Sequence, residues 1–307
     1  MKYDLENRLI WLKNELVPIK EAKIMAFSPT AQFGLNVFEG IPCFWNDKKS
    51  KLFVFRVQDH YKRLQNSAKL LNLNNTFSTE DMFNALKQTI AANEVKEDVS
   101  IRQTLFVDGF GSWSSDGPVQ MFVVATPHNM LSSEYNNEGL NVCISSWTRI
   151  NDNSMSPKIK CGANYINSRL GQREALRNGY NTCLFLNENK KISEGPGSCF
   201  FIIKNNCLIT PRLTDSVLES ITRDSVIKIA KFLGYEVIEC AVDRTELYIA
   251  DEAFLCGSAM GITPVLSIDK YKITDQIGDI TRKIKTKYFD IARGNDTDFS
   301  EWITELK

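Results

Sequence analysis

Apolar positions along this chain recur with two periods, and the period changes from one segment to the next. Leu9-Ile10-Trp11-Leu12 and Leu16-Val17-Pro18-Ile19 are short alternating runs, and Lys51-Leu52-Phe53-Val54-Phe55 has strand composition. Val57, Tyr61, Leu64, Ala68 and Leu71 then share one helical face. Ser78-Thr79-Glu80-Asp81 predicts a capping box, with Ser78 accepting an orphan amide and Asp81 in the electropositive first turn. The helix it opens carries an apolar stripe at Phe83, Leu86 and Ile90, with Lys87 and Gln88 on its wet side. Strand-like runs follow over 101–107 and 119–125, and a helix is predicted over 164–177, ended by Asn178-Gly179. Beyond it, 182–186, 198–203 and 207–210 read as an antiparallel series, with Lys204-Asn205-Asn206 as a turn. The stretch 221–233 is an amphipathic helix, apolar at 226, 229, 230 and 233 and closed by Gly234. Strand-like 236–242, a short helical 245–250, strand-like 252–256 and a last helix marked by Ile277, Ile280, Ile284 and Ile291 complete the pattern. Hairpins mixed with separate helices, without strict βαβ alternation, indicate an α+β fold.

At 307 residues the chain is long enough for two domains. The polar stretch 126–139, with Pro127 and Gly139 and no apolar period, is read as the connection. The expected division is 1–127 as a smaller α/β domain, 128–138 as linker and 139–307 as a larger domain. Thirty-seven basic residues balance thirty-seven acidic ones, so no global field draws the chain to nucleic acid or anionic lipid. The basic run Arg282 to Lys287 is read as the wet face of a helix. Eight cysteines lie scattered without a CxxC, several inside apolar runs, which fits buried free thiols in a reducing compartment. Two histidines far apart in sequence argue against a histidine-based metal site, so no metal is expected. No apolar targeting segment opens the chain and no run reaches the length of a membrane span, so the expected location is cytoplasmic.

The densest local chemistry is Lys160-Cys161-Gly162-Ala163-Asn164-Tyr165, followed by Ile192-Ser193-Glu194-Gly195. An amine, a phenol and a carboxylate are the groups a pyridoxal 5'-phosphate site needs: one to condense with the aldehyde, one for the 3-oxygen and one for the protonated ring nitrogen. Alone, a lysine near a tyrosine is ordinary surface decoration, and the reading needs the rest of the chain. Further elements stand in order along it: Phe33-Gly34, Val37-Phe38-Glu39-Gly40-Ile41, His60-Tyr61-Lys62-Arg63-Leu64, Ile221-Thr222-Arg223-Asp224, Leu247 to Glu252, and Gly257-Ser258-Ala259 through Val265. With these, the chain resembles the fold-type IV pyridoxal-phosphate enzymes, the class IV aminotransferases, and most closely the branched-chain amino acid aminotransferases. The likeness covers nearly the whole length.

The resemblance implies a fold of two mixed α/β domains like that of the D-amino acid aminotransferases, and a homodimer or larger homo-oligomer. It implies pyridoxal 5'-phosphate as cofactor, and an amino acid and a 2-oxo acid as small-molecule partners. Lys160 matches the lysine that carries the cofactor and moves the substrate's α-proton; Lys158 lies outside the Lys-x-Gly-x-Asn-Tyr context. Arg63 matches the arginine that grips phosphate, a task suited to a guanidinium's paired donors. Ser220, Ile221 and Thr222 match a helix start that holds phosphate through amides and hydroxyls. Glu194 matches the carboxylate facing the ring nitrogen, Tyr165 the phenol at the 3-oxygen, and Leu218 an apolar contact to the ring. Ser258 and Ala259 match a pair that lines phosphate and substrate carboxylate. Phe38, Gly40, Arg102 and Met260 match positions around the substrate pocket, and Arg102 the group that meets the distal carboxylate of glutamate.

Five departures stand out. Ser220 replaces a glycine, Ser258 a threonine, Ser100 a tyrosine, Cys199 an asparagine and Met260 an alanine. The expected activity is transfer of an amino group from a hydrophobic, branched-chain amino acid to 2-oxoglutarate. The alternatives are a specialised biosynthetic or D-amino acid transaminase, an aminodeoxychorismate lyase, or a non-catalytic fold-type IV subunit.

Overall fold

A computed structural model describes residues 7–128 and 138–306. The chain divides into two compact units, one of Met1–Leu131, Ile159–Ala163 and Ile291–Lys307, the other of Ser132–Lys158 and Asn164–Asp290. The expected α+β class is the class observed, each unit being one sheet with helices. Most of the segment expected to be a linker lies outside the described residues.

In the first unit, β1 (Leu9–Leu12), β2 (Glu15–Pro18), β3 (Asn36–Asn46), β4 (Lys51–Phe55), β5 (Val99–Val107), β6 (Val119–Pro127) and the last strand β15 (Ile303–Leu306) form an antiparallel sheet. Its order is β15-β4-β3-β5-β6-β1-β2. Helices α1 (Pro29–Phe33), α2 (Val57–Leu70) and α3 (Thr79–Ala92) belong to the same unit. Alternation along β3 sends Val37, Ile41 and Cys43 into a core shared with Val57, Tyr61 and Leu64 of α2 and Met82 and Leu86 of α3. The capping box at Ser78 forms with both arms, Asp81 reaching back to the Ser78 amide at 2.8 Å. The buried face of α3 is centred on Met82, Leu86 and Ile90, and Phe83 is turned partly outward, one position from its expected phase.

In the second unit, β7 (Leu140–Thr148), β8 (Thr182–Leu186), β9 (Cys199–Lys204), β10 (Cys207–Thr210), β11 (Val237–Glu239), β12 (Glu252–Gly257) and β13 (Gly261–Ile268) lie in the order β11-β10-β9-β12-β13-β7-β8, with β14 (Tyr271–Lys272) paired to β13. The antiparallel reading from 182 onward is corrected: β8 pairs in parallel with β7, not with β9. The helix α4 (Tyr165–Arg177) lies between β7 and β8 in sequence, and a helical crossover returns the chain in the same direction. The helix α5 (Ile221–Phe232) similarly separates the parallel pair β10 and β11. Only β9 and β10 form the expected hairpin, through Asn205 and Asn206 at φ 52° and 61°, left-handed values that asparagine tolerates. The strand expected over 236–242 shrinks to Val237–Glu239, and Leu233, past the end of α5, is exposed.

The domain boundaries also differ from expectation. Residues 159–163 group with the first unit because they hydrogen-bond to β3, and the chain end does so because β15 pairs with β4. The last helix, α6 (Asp279–Ala292), carries the chain from the second unit back into the first. Among the described residues no helix is long and apolar enough to cross a membrane.

Candidate active site

The segment carrying Lys160 is pinned to β3 by backbone bonds on both sides. The Phe38 amide donates to the Lys160 carbonyl at 3.0 Å, and Cys161 makes a bridge with Val37. The Lys160 amide donates to Ser67 Oγ on α2 at 3.1 Å. Gly162 answers a packing demand here, since a Cβ at this position would meet the Asn36 side chain at 2.9 Å. The lysine side chain, half-buried, runs out over the ring of Phe38, with Nζ 5.0 Å from its centroid. Arg102 lies over the same ring, its guanidinium carbon 4.1 Å from the centroid. The register explains this, because Arg102 pairs with Gly40 and so shares the sheet face of Phe38, opposite the helix-covered face. Arg102 is the one exposed residue of β5. A Cβ at Gly40 would find Ser100 Oγ at 3.6 Å, an ordinary contact.

Arg63 is buried on α2, and it is not alone. Its Nε donates to Glu39 Oε1 and its Nη2 to Glu39 Oε2, both at 2.7 Å. His60 Nδ1 lies 2.7 Å from Glu39 Oε2. Burial alone would push the Glu39 carboxyl up, but Arg63 and His60 outweigh it and hold it far below the usual carboxylate range. Burial pushes His60 below its ordinary value, with Glu39 opposing and the Arg63 and Lys160 charges assisting.

In the second unit, Glu194 is 3% exposed. A buried carboxylate is costly without a cationic partner, and Glu194 has one that the sequence did not reveal. Arg149 donates to Glu194 Oε1 from Nη2 at 2.7 Å and from Nε at 3.1 Å, and from Nη1 to Asn167 and Ser168. The other oxygen, Oε2, accepts from the Leu218 amide at 3.3 Å and the Cys199 thiol at 3.7 Å. The structure thus brings Glu194, Leu218 and Cys199 together. Cys199 is fully buried, and desolvation pushes its thiol well above the usual range.

Ser220 is the N-cap of α5, its hydroxyl accepting from the Arg223 amide at 3.2 Å. Its φ of −77° is open to any residue, so a side chain in the glycine's place costs no strain. Ile221 and Thr222 form the first turn, whose amides point along the helix axis. Tyr165, half-buried, begins α4. Ser258, Ala259 and Met260 make the turn between β12 and β13, near which Gly257 approaches the Gly197 carbonyl closely enough to leave little room for a Cβ. Ala259 is exposed, whereas Met260 packs against the second unit's core, so its expected place at a pocket has no support from its packing. All eight cysteines are free thiols. Among the described residues no cluster of three or more His, Cys, Asp or Glu is arranged to hold a metal.

Residues 36–268 match the family model for amino-transferase class IV. The chain is 34% identical over 298 residues to a probable branched-chain-amino-acid aminotransferase of Aquifex aeolicus, covering 96% of each. Among solved structures, the branched-chain amino acid aminotransferase of Thermobaculum terrenum in its pyridoxal-phosphate form aligns with a TM-score of 0.91 at 39% identity, covering 98% of this chain and 99% of that one. A T.th. branched-chain amino acid aminotransferase complexed with N-(5'-phosphopyridoxyl)-L-glutamate aligns with a TM-score of 0.92 at 32% identity, covering 98% and 99%.

Proposed function

This chain belongs to the class IV aminotransferases, and we propose that it moves the amino group of a branched-chain amino acid to 2-oxoglutarate with pyridoxal 5'-phosphate as cofactor. The observation that carries this reading is the pair of cations over one phenyl ring, Lys160 Nζ at 5.0 Å and Arg102 at 4.1 Å from the Phe38 centroid. An amine able to condense with an aldehyde and a guanidinium able to meet a carboxylate share one aromatic surface. The names of the relatives described above favour branched-chain donors over the D-amino acid and lyase readings, and the glutamate adduct in one of them favours glutamate and 2-oxoglutarate as the recycling pair.

The side chains suit this cofactor chemically. Glu194 Oε2 has long contacts, at 3.3 and 3.7 Å, which leaves acceptor capacity for a protonated ring nitrogen, while Arg149 pairs with Oε1 at 2.7 Å. Lys160 would hold the cofactor covalently, Tyr165 would meet its 3-oxygen and Leu218 its ring. Arg63, the first turn of α5 with Ser220, Ile221 and Thr222, and Ser258 would meet its phosphate. When bound, the cofactor accepts the amino group and draws electrons from the substrate's α-carbon. Lys160 Nζ would take the substrate's α-proton and give it back later in the reaction. Phe38 would give the donor side chain an apolar face beside Gly40, the exposed Ala259 would line the approach, and Arg102 would bind the distal carboxylate of glutamate in the second half-reaction. The enzyme works in the cytoplasm as a homodimer or larger homo-oligomer; free thiols suit that reducing setting.

The test is a donor screen with purified holoenzyme, L- and D-amino acids as donors, and 2-oxoglutarate or pyruvate as acceptor. Leucine, isoleucine and valine are expected to give glutamate with parallel initial-rate lines. They should differ only modestly, since one methylene is worth about 1–3 kcal/mol. No transfer from any of the three, a preference for D-donors, or pyruvate released from aminodeoxychorismate would each overturn the reading.

A further inference from the structure

We propose that Glu39 and His60 are positioning residues for Arg63, fixing the guanidinium plane for recognition of the cofactor phosphate. This rests on the reading that Arg63 is a phosphate ligand. Glu39 occupies a core position: it lies in phase with Val37, Ile41 and Cys43 on the helix-covered face of β3 and is wholly buried. A carboxylate there is costly unless donors converge on it, and three do, each at 2.7 Å. An ion pair so buried contributes little net stability over an apolar filling, so a gain in order accounts for it better than a gain in stability. The order imposed is specific. Two parallel bonds from Nε and Nη2 fix the rotation and tilt of a rigid planar group, and the guanidinium's other three N–H bonds turn with it.

His60 completes the device from one helical turn before Arg63. It is fully buried, and its Nε2 has no hydrogen-bond partner. A protonated ring would bury a charge and strand an N–H, so the ring is neutral with its proton on Nδ1, donated to Glu39. Glu39 Oε2 is then held from two sides and cannot swing with the arginine. The preceding residue of the same strand, Phe38, holds the Lys160 carbonyl through its amide. Adjacent residues of β3 thus hold the reacting lysine's backbone and the arginine's head.

Charge and geometry make opposite demands here, which gives the proposal a sign. If Arg63 acted only as a point charge, Glu39→Gln would remove a neutralising anion and tighten phosphate binding. If Glu39 orients Arg63, the same change presents an amide N–H to a donor and weakens binding. The readout is the ratio of equilibrium affinities for pyridoxal 5'-phosphate and pyridoxal in the full-length apoenzyme, which isolates the phosphate from the ring. Arg63→Leu is expected to lower that ratio about tenfold or more, and Glu39→Gln on the order of threefold to tenfold. The double variant should fall no further than Arg63→Leu alone. His60→Leu should lower the ratio while His60→Asn, which keeps a donor near the Nδ1 position, restores it; these two serve if Glu39→Gln does not fold. An unchanged or raised ratio in Glu39→Gln, additive losses in the double variant, or no effect of His60→Leu would overturn the proposal with Arg63 intact as ligand. An unchanged ratio in Arg63→Leu would instead overturn the phosphate reading and the proposal with it.

Discussion

Replacing Glu39 with glutamine should destabilise the apoprotein strongly at neutral pH and progressively less as the pH falls. The carboxylate is wholly buried and receives three hydrogen bonds at 2.7 Å from Arg63 and His60. Removing one partner of such a pair leaves the Arg63 charge uncompensated, a loss of about 3–5 kcal/mol. At roughly 2–4 °C per kcal/mol the melting temperature should fall by about 6–20 °C. The pH dependence follows from the direction of the shift. Arg63 and His60 hold Glu39 far below its unfolded value of about 4.3, so its contribution is fully present above that value and is lost as the pH falls. Below it the unfolded chain takes up a proton that the folded chain refuses, and the native protein loses up to about 1.4 kcal/mol per pH unit. The variant lacks this group, and because Glu39 also acts on His60, both proteins are compared with His60→Asn in place, so that only the carboxylate differs. The stability gap should therefore narrow by about 1.5–2 kcal/mol on going to roughly pH 3. Urea unfolding of both apoproteins across that range measures it. A neutral-pH loss under about 1 kcal/mol, or a gap that stays constant or widens in acid, would refute the reasoning.

Burial holds His60 below its ordinary value, so below about pH 6.5 the unfolded chain gains a proton that the folded chain does not; His60→Asn should flatten the melting profile between about pH 6.5 and 5, and an unchanged slope would count against a neutral buried ring. Ser220→Ala should cost about 0.5–2 kcal/mol through loss of the cap bond to the Arg223 amide, and Ser220→Gly only a few tenths; equal losses in melting temperature would contradict the capping role. Arg102→Leu should slow the glutamate half-reaction much more than the leucine half-reaction in single-turnover stopped flow, and equal slowing of both would remove the distal-carboxylate role.

Much of this was legible in the sequence where a signal was local. The capping box at Ser78, the stripe of α2 and the Asn205-Asn206 turn depend on residues a few positions apart, and all three formed. The pairing of β8 was misread as part of an antiparallel series, and its parallel partner β7 went unrecognised as a strand, because pairing partners distant in the chain leave no local trace. The partnership of Arg149 with Glu194 spans 45 residues and was invisible for the same reason. Glu39 was different. Its alternation with Val37, Ile41 and Cys43 was readable, and a charge in core phase demands a partner, which His60 and Arg63 supply three residues apart on one helix. The serine at 220 brings no backbone strain because the residue caps a helix in extended backbone, a fact of φ and not of composition.

The most direct test is to reduce the holoenzyme with borohydride and map its peptides by mass spectrometry. A phosphopyridoxyl increment is expected on Lys160 and not on Lys158, and incubation with leucine before reduction should remove it, because the amino group of the donor displaces the lysine. Lys160→Ala should carry no mark under either condition. A mark on Lys158 or any other lysine, or one on Lys160 that leucine leaves untouched, would contradict the assignment of Lys160 as the catalytic amine.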